Sequence, residues 1–197
     1  SESLTAQIVG SVLGVSMERV RVILGDTDNT PYGGGTWASR GAGIGGEAAL
    51  QAAKVLRKNI LDVASVILQT KPDDLDIVNN AVVDVQGGQQ RIELNELARI
   101  VYFRPDTLPP GIQPELMATR HFVPREYPFA FTNGVQASWL EVDPQTGFIK
   151  LLKHWVVEDC GTIINPQLVD EQIRGGVVQG LGAALYEHCI YDERGQL

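Results

Sequence analysis

The chain has 197 residues and a mass of 21.4 kDa, enough for one domain or two small ones with a real core. Apolar residues make up 44% and charged residues 20%, the balance of a folded chain rather than a disordered one. Lys plus Arg number 16 against 24 Asp plus Glu, a net charge of −8 that argues against nucleic-acid binding and against an anionic membrane surface, and no apolar run is long enough to span a bilayer.

The chain opens Ser1-Glu2-Ser3, without the basic start and apolar stretch of a signal peptide, so the cytoplasm is the expected compartment. Leu4, Ile8, Val12 and Leu13 recur at helical spacing, and Gly14 is a plausible stop. Arg19 to Leu24 alternates and is rich in β-branched residues, which predicts a strand. Gly25 to Gly35 reads as a turn-rich loop. From about Gly41 to Gln69 the apolar residues fall on one broad helical face, until Lys71-Pro72 ends the pattern. Leu75 to Val78 and Ala81 to Val85 predict two short strands around Asn79-Asn80, with a third over Gln90 to Leu94 and a short helix over Glu93 to Phe103.

Arg104 to Pro114 holds four prolines and a glycine and predicts irregular chain, followed by a weak strand over Arg120 to Val123. Val135 to Asp143 and Phe148 to Val157 flank Pro144-Gln-Thr-Gly147, the pattern of a hairpin. Asn165-Pro166 is a good cap for a helix running to about Glu187. Ile190-Tyr191 predicts a further strand before a turn at Asp192 to Gly195. The irregular alternation predicts an α+β fold, with helices packed on mixed or antiparallel sheets as a two-layer sandwich.

Glycine is the informative excess: there are 21, and eleven of them fall in two clusters near likely helix starts, seven within residues 33–46 and four within 175–182. In Gly33-Gly-Gly-Thr-Trp-Ala-Ser-Arg-Gly41, successive glycines let main-chain N–H groups turn toward one point. Thr36 and Ser39 add hydroxyls, and Arg40 adds a cationic fork. Such a set suits a phosphate or pyrophosphate; the structural alternative is a glycine-rich turn that permits tight helix packing. No Gly-Lys-Ser/Thr closes it as a P-loop, and no strand directly precedes Gly41-x-Gly-x-x-Gly46 as a dinucleotide fingerprint requires. Trp37 is either the wall of a substrate pocket or simply a half-buried aromatic.

The second cluster is Gln172-Ile-Arg-Gly-Gly176 with Gln179-Gly180. Each glycine inside a helix costs about 1 kcal/mol against alanine, so either close helix contact or a ligand held by Gln172 or Gln179 must offset it. The two cysteines, Cys160 and Cys189, support neither a disulfide scaffold nor a four-Cys zinc site, and Cys160 reads as a buried reduced thiol. His121, His154 and His188 lack metal-ligand spacing. Asp26 and Asp28 read as turn-bonding residues rather than a calcium loop.

The segments Val20 to Asp28, Gly35-Thr-Trp-Ala-Ser-Arg40 with Gly45-Gly46, and Glu141 to Gly147 follow in a familiar order, as do Glu158-Asp-Cys-Gly161, Ile164-Asn-Pro166 and Gln172 to Glu187. As a set they resemble the molybdopterin-binding subunit of the xanthine dehydrogenase and aldehyde oxidase family, which includes aerobic carbon monoxide dehydrogenases. The resemblance implies a molybdenum cofactor, molybdopterin in its cytosine dinucleotide form. Gly35, Thr36, Ala38, Ser39 and Arg40 would lie against that cofactor, Gln172 would hydrogen-bond it, and Trp37 would face the substrate pocket.

It implies oxidation of an aldehyde, an N-heterocycle or carbon monoxide with water-derived oxygen. Electrons would leave through an iron–sulfur subunit and an FAD subunit, with no iron–sulfur cluster or FAD in this chain. The family's catalytic glutamate motif, Gly-x-Gly-Glu, does not occur in residues 1–197, so the expectation is a fragment of the domain that is inactive alone. Its partners would be the remainder of the subunit and the two redox subunits, and residues 1–130 and 131–197 are its candidate subdomains. The rival expectation is a cofactor-free scaffold of the same fold.

Overall fold

The computed structural model describes residues 1–126 and 131–197. The chain divides into two compact units, Ser1–Phe129 and Ala130–Leu197. The described helices and sheets form an α+β architecture in which both sheets are antiparallel.

In the first unit, helix α1 spans Glu2–Leu13 and helix α2 spans Glu47–Leu68. A three-stranded antiparallel sheet follows, with β1 over Leu75–Val78, β2 over Ala81–Asp84 and β3 over Gln90–Glu93, in the order β1-β2-β3. Helix α3 spans Leu94–Phe103. The core joins all of them: Leu13 from α1, Ala53, Ile60, Val63 and Ala64 from α2, Leu75, Ile77 and Val82 from the sheet, and Leu97 and Val101 from α3. Ala64, Val82, Leu97 and Val101 are fully inaccessible. The apolar face of α2, legible in the sequence at helical spacing, thus supplies much of the core.

Two tight turns fix the geometry. Asn79 and Asn80 both take positive φ, 49° and 67°, as the connection of a two-residue hairpin that matches the twist of its strands requires. Gly14 ends α1 in the left-handed conformation, φ 63°, with its N–H bonded to the Gly10 carbonyl. A Cβ on Gly14 would run into the Ile77 carbonyl, so only glycine allows α1 to end against β1.

The second unit is a long hairpin followed by helix α4, Pro166–Leu185. Strand β4 spans Asn133–Val142 and β5 spans Ile149–Asp159, paired antiparallel with a bulge between Trp139 and Leu140. The turn between them is held by Asp143. Its Oδ1 accepts from the Gln145 N–H at 2.9 Å and its Oδ2 from the Thr146 hydroxyl at 2.7 Å. Those bonds, that of Thr146 foremost, hold the Asp143 carboxyl below the usual carboxylate range. Cross-strand pairs put Val135, Ala137, Val157 and Trp155 on one face and Gln136, Ser138, Val156 and His154 on the other. Ser138 Oγ lies 2.8 Å from His154 Nδ1. No described residue of this unit is buried.

Three expected strands do not form. Arg19 to Leu24 alternates, but Met17–Arg19 is a 3₁₀ turn and residues 20–24 pair with no strand among the described residues. An alternating pattern makes a strand only where a partner offers its ladder. The same holds for Arg120 to Val123 and for Ile190-Tyr191, both irregular chain. Gly41 to Gly46 is a wide π-helical turn rather than the first turn of α2.

Gly14→Ala is expected to destabilise the first unit by at least about 2 kcal/mol, from left-handed strain plus the clash with Ile77, and urea unfolding would read it. Asp76 gives a pH-dependent counterpart. Burial works against its charge, but the Arg57 guanidinium and the Ile77 N–H outweigh that and hold the carboxyl below its ordinary 3.8. A lowered pKa contributes stability above the unfolded value and loses it as pH falls, so the pair weakens below about pH 4. Asp76→Asn should lower the urea midpoint at pH 7 and flatten its fall on acidification.

Candidate functional site

The glycine loop is the most contorted stretch of the first unit. Its φ values are 74° at Gly34 and 80° at Gly35, then 56° at Ala38 and 57° at Ser39, while Thr36 at −105° and Arg40 at −88° lie on the ordinary side. Changes of φ sign between successive residues are the backbone pattern from which anion-binding nests are built. Left-handed geometry is free for glycine but costs about 1–3 kcal/mol at each of Ala38 and Ser39, so something must hold them there.

Side chains within the loop do so. Arg40 Nε donates to the Gly35 carbonyl at 2.8 Å and Nη2 to the Gly33 carbonyl at 3.0 Å. Trp37 Nε1 donates to the Gly34 carbonyl at 2.7 Å. The Arg40 guanidinium sits 4.8 Å from the centre of the Trp37 ring, a cation–π contact. Trp37 is nevertheless 63% exposed, so it is not the half-buried aromatic of the bland alternative. The Thr36 and Ser39 hydroxyls make no hydrogen bond among the described residues. No described atom lies within 4 Å of where a Cβ would stand on Gly33, Gly43 or Gly45, which leaves open space beside the loop.

The loop is fixed to α2 at its far end. The Arg40 carbonyl accepts from both Ile44 N at 2.9 Å and Gly45 N at 3.4 Å, and a Cβ on Gly46 would press on Ile8 of α1 at 3.1 Å. Upstream, Asp26 shapes the preceding turn by accepting from Asp28 N, Asn29 N and Asn29 Nδ2. The Asn29 amide, with the Asp28 N–H, keeps its carboxyl below the usual range. This is turn bonding, the role the sequence predicts for Asp26.

The first-cluster residues Gly35, Thr36, Trp37, Ala38, Ser39 and Arg40 therefore come together in one loop. Gln172 belongs to the second unit, where it is exposed on α4. That helix is capped as expected, with Asn165 Oδ1 accepting from Leu168 N at 3.1 Å and Pro166 in the first turn. Gly175, Gly176 and Gly180 have no described atom within 4 Å of a would-be Cβ, so the close helix contact that might offset their cost is not made by any described residue. Cys160 is half-buried rather than buried, in the turn after β5. The sequence could not reveal the bonds from Arg40 and Trp37 to three glycine carbonyls, because nothing in residue spacing marks a side chain that folds back on its own loop.

Left-handed residues, free hydroxyls and glycines facing open space thus lie together in one loop ahead of α2. The chain belongs to the molybdopterin cofactor-binding domain family, whose model matches residues 1–197. It is 37% identical over 196 residues to the large subunit of nicotine 6-hydroxylase from Paenarthrobacter nicotinovorans, a match that covers 100% of this chain and 24% of that one. It is 31% identical over 193 residues to the carbon monoxide dehydrogenase large chain of Hydrogenophaga pseudoflava, covering 98% of this chain and 23% of that one. The crystal structure of quinoline 2-oxidoreductase from Pseudomonas putida 86 superposes with a TM-score of 0.86 at 37% identity, over 100% of this chain and 25% of that one. The chain thus spans about a quarter of the length of the relatives it matches.

Asn165→Ala should fray the first turn of α4 at a cost of about 1 kcal/mol, and amide exchange of residues 167–169 should accelerate accordingly.

Proposed function

We propose that this chain is the cofactor-gripping part of the large subunit of a molybdenum hydroxylase, and the single observation that carries the proposal is the strained loop 33–40 within a chain matched by the family along its whole length. The donor set suits the group. Gly35 and Ala38 offer main-chain N–H, Thr36 and Ser39 offer free hydroxyls, and Arg40 holds the loop that presents them through its bonds to the Gly33 and Gly35 carbonyls. Trp37 lies on the substrate side in this reading, and Gln172 offers the cofactor an amide that both donates and accepts. When bound, the cofactor supplies two-electron redox chemistry. The residues of this chain bind it, orient it and keep its polar groups hydrogen-bonded.

The cofactor is taken to be the cytosine dinucleotide form that the resemblance implies for bacterial enzymes. Two relatives at 37% identity are named for nicotine and quinoline, both aromatic N-heterocycles, whereas the carbon monoxide dehydrogenase large chains stand at 29% and 31%. An aromatic N-heterocycle is therefore the favoured substrate class. Relatives named as a gamma subunit of a complex and as a large chain support a multi-subunit assembly. In this reading its other members are the iron–sulfur and FAD subunits that the resemblance implies, and its compartment is the cytoplasm. No helix among the described residues is long and apolar enough to cross a membrane. The apolar hairpin face around Trp155 suits cover by the rest of the large subunit.

Elemental analysis of the whole complex, purified from a host that makes the cofactor, tests this. Near-stoichiometric molybdenum together with CMP released by acid is the expected result. Absence of both metal and nucleotide would sink the enzyme reading and leave the cofactor-free scaffold.

A further inference from the structure

The geometry points to Arg40 as the staple that preorganises the glycine loop, a positioning residue that acts on the cofactor through the backbone rather than by its own charge. The inference rests on the cofactor reading above for its consequence, but the staple itself stands on the loop alone.

Three consecutive carbonyls are held by side chains that follow them in the sequence. Arg40 takes those of Gly33 and Gly35, and Trp37 takes that of Gly34. A trans peptide points its N–H opposite to its C=O. Holding these three carbonyls toward Arg40 and Trp37 therefore turns the N–H groups of Gly34, Gly35 and Thr36 the other way. Their orientation is set before any ligand arrives, which reduces the ordering cost of binding.

The guanidinium is bound on two sides. Its Nε and Nη2 are committed to carbonyls, and its Cζ lies over the Trp37 ring, 4.8 Å from the ring centre. Trp37 and Arg40 thus brace one another across Ala38 and Ser39, the two residues held in left-handed geometry. A planar fork that donates in two directions while stacking on an indole is specific to arginine. Lysine keeps the charge but is a point donor without a plane. Gly34 is part of the same design, because a Cβ there would collide with Arg40 Nη2.

The test compares Arg40→Lys and Arg40→Gln in the full-length large subunit, with three readouts. In cofactor-free protein, proteinase K cleavage within residues 33–40 reports loop opening. Fluorine NMR of 5-fluorotryptophan-labelled protein, with the Trp37 resonance assigned by its loss in Trp37→Phe, reports the brace. In cofactor-loaded complex, molybdenum remaining after dialysis reports retention. Both variants are expected to raise loop cleavage by about tenfold, to shift the Trp37 resonance while those of Trp139 and Trp155 stay in place, and to lower retention by a similar factor. Gly34→Ala, which leaves the charge at Arg40 intact, should do the same.

Retention kept by lysine and lost with glutamine would overturn the inference in favour of a simple charge contact. So would an unmoved loop in both variants, or a loosened loop that still holds its molybdenum. If the unaltered complex carries no molybdenum, the cofactor reading fails by itself, and cleavage and fluorine NMR still decide the staple.

Discussion

The first unit depends on one helix. Helix α2 presents Ala53, Ile60, Val63 and Ala64 to a core shared with α1, the sheet and α3, and no other element contributes as many residues to that core. Burial of apolar area on this scale is the dominant favourable term available to a small fold. Its N-terminal end is also where the glycine loop is tied down, through the Arg40 carbonyl and the wide turn Gly41–Gly46. A contorted loop can be kept only where its exit is rigid, and here the exit leads directly into the best-packed helix. Packing in the core and strain at the candidate site are therefore two ends of one element.

Much of this was legible in the sequence. The 3.6-residue period of residues 47–68 marked α2, and the proline–glycine pair between two β-rich runs marked the β4–β5 hairpin. Asn79-Asn80 marked a tight connection because asparagine tolerates positive φ. The gathering of Gly35, Thr36, Ser39 and Arg40 into one loop was legible too, since adjacency in sequence fixes it. What could not be read is what depends on partners. Residues 20–24 have the alternation of a strand but no described neighbour to pair with. The left-handed Ala38 and Ser39 were hidden because neither residue type favours that conformation, and the cause, Arg40 folding back, is a tertiary fact of a few ångströms.

The second unit poses the opposite problem. Its hairpin pairs Val135 with Val157 and Ala137 with Trp155, and its helix is properly capped, yet none of its described residues is buried. Local rules of strand, turn and cap are satisfied there without the burial that normally accompanies them. The signals for strand, turn and cap in residues 133–185 are local in sequence, so they are met within the unit itself. The open glycines of α4 belong to the same picture: the helix pays their entropic cost with no described neighbour drawn close in return.

Asn80 has a consequence for how the first unit assembles. Its N–H donates to the Gly14 carbonyl, its side chain accepts from Ser16 N, and its carbonyl accepts from Leu94 N. One residue thereby ties the end of α1, the hairpin tip and the start of α3 across a separation of 64 residues. Closing a chain segment of that length costs roughly 4 kcal/mol of entropy before any bond is returned. The β1–β2–β3 meander and α3 are neighbours in sequence and can pair without that cost, whereas the bonds of Asn80 to Gly14 and Ser16 close a long loop. The asparagine thereby joins structures that are local in sequence to a helix that is distant from them, so loosening the hairpin tip loosens the end of α1 as well.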